Sequence, residues 1–187
     1  VEASTGSLGQ GLSIGLGHAL AGRVDDLNYR VYVMIGDGEA DEGQIWEAAM
    51  SAAKYQVDTL TCILDYNKFQ QTGPIREVMP TLEPLAAKWR AFGWHVIDID
   101  GHDMGEIKEA LDEVARITKQ PQLIIANTLK GKGLSPFQKD DVNRKHGVPL
   151  TEEEMEIALA ELDELKHTRA FSGPEPELTP EDKYGEI

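Results

Sequence analysis

The run Arg30-Val31-Tyr32-Val33-Met34-Ile35-Gly36-Asp37-Gly38 passes from β-branched and apolar residues straight into a glycine-flanked carboxylate. Residues 30–35 have the composition of a short strand in a covered sheet, and Gly36 ends it. Downstream, residues 43–55 carry Ile45, Ala48, Ala49 and Ala52 on one stripe, the spacing of a helix. A second apolar run, Leu60-Thr61-Cys62-Ile63-Leu64-Asp65-Tyr66, then reads as a strand and stops at Asn67. Strand, helix, strand is a βαβ unit, so Asp37 and Asn67 are expected at the same end of neighbouring parallel strands.

Working outward, the same alternation continues. Upstream, Gly11 to Gly22 holds Leu12, Leu16, Ala19 and Leu20 at helical spacing, with many small residues suited to close packing. Downstream come a polar, Pro-containing segment at 67–80, a helix at 82–92, a strand at 94–99, a helix at 104–118 and a strand at 122–127. A last helix at 151–165 opens with Thr151 and Glu154 at capping-box spacing. The fold class predicted is α/β, a parallel sheet covered by helices on both faces. Ligands of such sheets bind beyond the carboxyl ends of the strands, which singles out four loops: 36–38, 67–71, 100–102 and 128–133.

Bulk properties narrow the function. The chain has 187 residues and a formal charge of −15, which argues against nucleic-acid binding because phosphate backbones require clustered Lys and Arg. An anionic cofactor must then be received by a metal ion or by aimed backbone N–H groups. The single cysteine, Cys62, sits inside an apolar run and reads as a core residue. No apolar stretch reaches the roughly 20 residues of a membrane span, and a cytoplasmic location is expected. The start at Val1, without Met or a leading strand, predicts a piece of something longer. From Phe171, prolines and acidic residues replace apolar periodicity, so the expected organisation is one domain over residues 1–170 and an acidic Pro-rich tail over 171–187, flexible or docked on a partner.

A carboxylate, an amide oxygen and a main-chain carbonyl are hard donors, suited to Mg²⁺ completed by phosphate oxygens and water. Gly-Asp-Gly alone reads as a turn after a strand. With Asn67 thirty residues beyond Asp37, the pair resembles the thiamine-diphosphate motif of transketolases, decarboxylases and related enzymes. Further segments narrow the resemblance to transketolase: Thr5-Gly6-Ser7-Leu8-Gly9-Gln10-Gly11, Glu39 with Glu42-Gly43, Ala91-Phe92-Gly93-Trp94-His95, Asp100-Gly101-His102, Lys130-Gly131-Lys132-Gly133 and His146-Gly147-Val148-Pro149-Leu150. They occur in transketolase order, and the resemblance covers residues 2–165. It implies the thiamine-diphosphate-binding fold, specifically the pyrophosphate-binding domain.

The resemblance also implies roles. Asp37, Asn67 and the backbone carbonyl of Phe69 would hold Mg²⁺. Gly36 and Gly38 would let the diphosphate approach, and Gly6, Ser7 and Leu8 would line the thiamine rings. Gln71 and Lys130 would lie near the cofactor, Lys130 beside the diphosphate and substrate. Glu42 would link cofactor sites across a dimer. His146 would be the active-site histidine, able to donate a hydrogen bond or move a proton near neutral pH. Read without the resemblance, Gly6–Leu8 is a helix start, Glu42 a helix-dipole residue, Gln71 and Lys130 loop residues, and His146 a surface histidine. His18, His95, His102 and His167 read as structural, although His102 lies on the correct rim.

The activity implied is transfer of a two-carbon ketol unit between sugar phosphates of carbohydrate metabolism, the pentose phosphate pathway included. Transketolases also need a glutamate from a pyrimidine-binding domain, which nothing here matches. A partner chain or domain, in a homo- or hetero-oligomer, is therefore expected. The alternatives are a component of deoxyxylulose-phosphate synthase or an E1 dehydrogenase, and a noncatalytic subunit of the same fold.

Overall fold

The computed structural model describes residues 1–138 and 145–168, so the expected tail at 171–187 and the side chain of His167 lie outside the described residues. In chain order come α1 (Gln10–Val24), β1 (Val31–Gly36), α2 (Gly43–Lys54) and β2 (Leu60–Tyr66). A two-stranded hairpin follows, β3 (Phe69–Gln70) with β4 (Gly73–Pro74), then α3 (Ile75–Val78), α4 (Leu85–Ala91), β5 (His95–Asp100), α5 (Met104–Val114), β6 (Gln122–Asn127) and α6 (Ser135–Gln138). These elements belong to one compact unit, Val1–Pro149; α7 (Glu152–Thr168) belongs to a second that starts at Leu150. Within the second unit the capping box forms as expected: Thr151 N–H donates to Glu154 Oε2 at 2.9 Å and Glu154 N–H to Thr151 Oγ1 at 3.3 Å.

The four expected strands form one parallel sheet in the order β1-β2-β6-β5. Alternation sorts the side chains. Leu60, Cys62 and Leu64 of β2, with Leu123 and Ile125 of β6, join α1, α2 and α4 in the larger core, which also buries Trp89 and Trp94 edge to face at 4.8 Å. Ile124 and Ala126, with Ile99 of β5, face the other way and pack on Ala110 and Val114 of α5. Helices thus cover both faces, but not at β1. There Tyr32 and Met34 remain 48% and 71% exposed, because among the described residues no helix packs on that side of the edge strand.

Two helices are shorter than their periodicity predicts. The helix at 82–92 begins only at Leu85: Leu82 lies in a 3₁₀ turn, and Pro84 disfavours helical backbone at Glu83. The helix at 104–118 ends at Val114, where Arg116 N–H to Glu113 O and Ile117 N–H to Val114 O tighten the last turn to i→i−3 bonds. At its start Asp103 caps the N–H groups of Gly105 and Glu106. No described helix is long and apolar enough to cross a membrane.

Register brings the rim loops together. Gly36 lies beside Asp65, Asp65 beside Ala126, Tyr66 beside Asn127 and Asn127 beside Asp100. All four expected loops therefore leave the sheet from one edge.

Candidate functional site

The site begins where β1 runs out. Asp37 is 1% exposed, and its N–H donates to Asp65 O at 3.2 Å, continuing the β1–β2 ladder by one step. Its carboxylate accepts two backbone N–H groups, Gly38 on Oδ1 at 2.8 Å and Lys68 on Oδ2 at 2.6 Å. Burial pushes the Asp37 carboxyl up to about 6 against the pull of these two donors. Among the described residues Asp37 makes no ion pair.

Lys68 holds the second half. Its φ of 73° is left-handed, a conformation that costs a non-glycine residue on the order of 1–3 kcal/mol and persists where its surroundings demand it. The consequence is geometric: consecutive N–H groups diverge, that of Lys68 reaching Asp37 and that of Phe69 reaching Asn67 Oδ1 at 3.0 Å. Asn67 Nδ2 donates to Asp65 Oδ2 at 2.9 Å. Asp37 and Asn67 are thus joined through a single intervening residue.

The donor chemistry fits a hard divalent cation. A carboxylate buried without a cationic partner is costly, and a bound cation would offset that cost. The described residues contain no group of three or more His, Cys, Asp or Glu able to hold a metal. Amide and main-chain oxygens are hard donors of the same kind, and Asn67 Oδ1, which accepts the Phe69 N–H, is one of them on this rim. Gly38 permits the hairpin to pack down here, since a Cβ on it would lie 2.5 Å from Gln70 Cβ.

The glycine-rich opening is tied to the same strand end. Gly6, Ser7 and Leu8 are exposed, with Ser7 N–H donating to Thr5 Oγ1 at 2.9 Å. Gly9, at φ 84°, donates its N–H to Glu39 Oε1 at 2.9 Å, while Glu39 Oε2 accepts Gly36 N–H at 3.3 Å. One carboxylate thereby clamps the 6–9 turn to the end of β1. Glu42, exposed at the start of α2, lies against Gly9, where an added Cβ would come within 2.9 Å of Glu42 Cβ.

A cleft of about 560 Å³ opens on this rim. Of the expected residues it is lined by Asn67, Lys130 and His146; Asp65, His102, Thr128, Lys132 and Lys145 join them. Lys130 Nζ lies 2.9 Å from His146 Nδ1. An ammonium only donates, so Nδ1 accepts and the ring proton sits on Nε2. Burial, and then the neighbouring Lys130 charge, hold the His146 imidazole below its ordinary pKa. His102 Nε2 accepts Leu129 N–H at 2.8 Å, so the histidine read as structural does anchor the loop after β6. Gln71 is exposed at the turn of the hairpin and is not among the cleft residues.

Glu39, Asp65, Lys68 and Thr128 are the residues that reading the sequence passed over as site residues. Asp65 did carry a signal, being the one charged residue of its strand.

Comparison with known proteins gives the family. Residues 1–176 match the family model described as transketolase, thiamine diphosphate binding domain. The chain is 50% identical over 163 residues to a 6-deoxy-6-sulfo-D-fructose transketolase subunit of a Clostridium species, covering 87% of this chain and 58% of the relative. It is 42% identical over 164 residues to one of the apulose-4-phosphate transketolase subunits of Phocaeicola vulgatus, covering 88% and 57%. The crystal structure of transketolase from Campylobacter jejuni superposes with a TM-score of 0.79 at 30% identity, covering 87% of this chain and 26% of that one. The chain thus spans just under three fifths of its similar relatives' length. With a family match running from Val1 across both the Asp37–Asn67 rim and the His146 segment, the chain belongs to the transketolase family, as its thiamine diphosphate binding domain.

Proposed function

We propose that this chain is the part of a transketolase that receives Mg²⁺ and the diphosphate of thiamine diphosphate. A pyrimidine-binding partner chain or domain would complete the site for two-carbon ketol transfer from a ketose phosphate to an aldose phosphate. The observation that carries the proposal is the buried Asp37 carboxylate, tied through Lys68 to Asn67 on the adjacent strand end. Asp37, Asn67 and the Phe69 carbonyl would hold the cation. Gly36, where an added Cβ would meet nothing within 4 Å, would leave room for the diphosphate, whereas the space at Gly38 is taken by Gln70; Gly6, Ser7 and Leu8 would meet the thiamine rings. Glu42 would lie toward the second subunit of a dimer, and Gln71 would approach the cofactor from the hairpin turn.

Bound thiamine diphosphate supplies the carbon nucleophile that takes up the two-carbon unit. The chain's own part is orientation and charge. Lys130, Lys132 and Lys145 meet at the cleft of a protein whose formal charge is −15, a local positive field suited to an anionic sugar. Two relatives are named for such sugars, 6-deoxy-6-sulfo-D-fructose and apulose 4-phosphate. His146, neutral with its proton on Nε2, is set to donate to a sugar oxygen as that oxygen gains charge. Lys130 holds the ring in that tautomer.

The test is calorimetric titration of thiamine diphosphate with Mg²⁺ into the chain assembled with its pyrimidine-domain partner. Asp37→Ala should abolish Mg²⁺-dependent binding and leave the fold intact by circular dichroism. Unchanged affinity in that variant sinks the proposal.

A further inference from the structure

Asp65 touches both arms of the site, although nothing in the motif points to it. Its backbone carbonyl accepts Asp37 N–H at 3.2 Å. Its carboxylate divides between two neighbours: Oδ2 accepts Asn67 Nδ2 at 2.9 Å, and Oδ1 accepts the Thr128 hydroxyl. Those partners come from the end of its own strand and from the end of β6, 63 positions away. The residue lies mid-sheet in register with Gly36 on one side and Ala126 on the other.

A carboxamide has two ends of opposite character, an oxygen that accepts and an NH₂ that donates. Whichever end is held decides what the other presents. The Asp65 carboxylate takes the NH₂ of Asn67, which leaves Asn67 Oδ1 on the side of Phe69 N–H. Thr128 prevents the Asp65 carboxylate from rotating away. We propose that Asp65 is a positioning residue which, with Thr128 behind it, fixes the Asn67 carboxamide oxygen-first toward a divalent cation and aligns Asp37 through its main chain. This rests on the proposed role of Asn67 as a metal ligand.

Outer residues that orient ligands typically cost about 10–100-fold in metal affinity when removed. The readout is the Mg²⁺ concentration that half-saturates thiamine diphosphate binding, followed by calorimetry on the chain assembled with its partner; no turnover is needed. Asp65→Ala should raise that concentration by about 10–100-fold with the melting temperature little changed. Asp65→Asn should stay near the parent protein, because its amide oxygen still accepts from Asn67 and its NH₂ can donate to Thr128. A loosened Asn67 should also discriminate less. Mg²⁺ demands near-octahedral geometry and Ca²⁺ does not, so the preference for Mg²⁺ over Ca²⁺ should narrow in Asp65→Ala.

Should Asp65→Ala fail to fold, Thr128→Val carries the test, with a smaller shift in the same direction. An unchanged half-saturation in the folded variant, beside lost binding in Asp37→Ala, overturns the positioning role alone. Equal losses in Asp65→Ala and Asp65→Asn overturn it in favour of a pure charge effect. Unchanged binding in Asp37→Ala as well overturns the metal reading itself.

Discussion

The two ends of the sheet treat polar groups in opposite ways. At the amino end, Arg30 donates to Gln122 Oε1 at 2.7 Å and to Val114 O at 3.0 Å, and Thr61 Oγ1 donates to Gln122 Oε1 at 2.9 Å. Gln122 Nε2 returns donors to the carbonyls of Asp58 and Gln120. Thr61 and Gln122 are fully buried, and their bonds, with those of Arg30, tie β2, β6 and the end of α5 together. At the carboxyl end, Asp65, Asn67, Thr128, Lys130 and His146 are also hydrogen-bonded, but they line an open cleft. One end uses its polar groups to hold strands together. The other holds them in place facing a cavity, the arrangement expected of a preorganised ligand site.

That contrast can be broken experimentally. The largest effect is expected at the rim: in the assembled complex His146→Ala should slow ketol transfer by about 10²–10⁴-fold, the range of a lost general acid or base. Cofactor affinity and melting temperature should move far less. A large loss of cofactor binding with normal turnover at saturation would instead place His146 in the cofactor shell.

At the opposite end the dissociation should reverse. Gln122→Leu preserves volume but takes the acceptor from the buried Thr61 hydroxyl, one acceptor from Arg30, and the donor from two carbonyls, so urea unfolding should show a loss of about 3 kcal/mol, with stranded buried groups costing about 1–3 kcal/mol each. Affinity for thiamine diphosphate, measured where the variant is folded, should be unchanged. If affinity falls in step with stability, the two ends are not independent.

The smallest effect sharpens the rim itself. His146 titrates below the ordinary histidine range because of burial first and the Lys130 charge second. Lys130→Met removes only the second cause, so the imidazole midpoint, followed by NMR, should rise part of the way back. The neutral ring should then persist over a narrower range, with its acid limit moved to higher pH. No change would mean that burial alone sets the midpoint.

Much of the framework was legible in the chain. The strand expected at 60–66 and that at 122–127 coincide with β2 and β6, since both are apolar runs bounded by turn residues. The rim loops followed from the parallel alternation. The hairpin β3–β4 was not anticipated, because two-residue strands carry no periodicity and Phe69–Pro74 reads only as polar loop. The open face at Tyr32 and Met34 was equally invisible, as a strand's composition does not say which side finds a partner.

Local sequence by itself determined the α/β alternation, the Gly-Asp-Gly turn after a strand and the capping box at Thr151, because each depends on residues within a few positions of one another. It also placed Asp37 and Asn67 at neighbouring strand ends through one helix of ordinary length. Only the tertiary structure decided that β6 inserts between β2 and β5, and hence that Thr128 braces Asp65 and that Lys130 meets His146 across a shared cleft. The reason is that parallel pairing is a contact between segments far apart in the chain. Which strand becomes the neighbour is settled by how whole helices pack on the two faces, and the orientation of a single carboxamide follows from that choice.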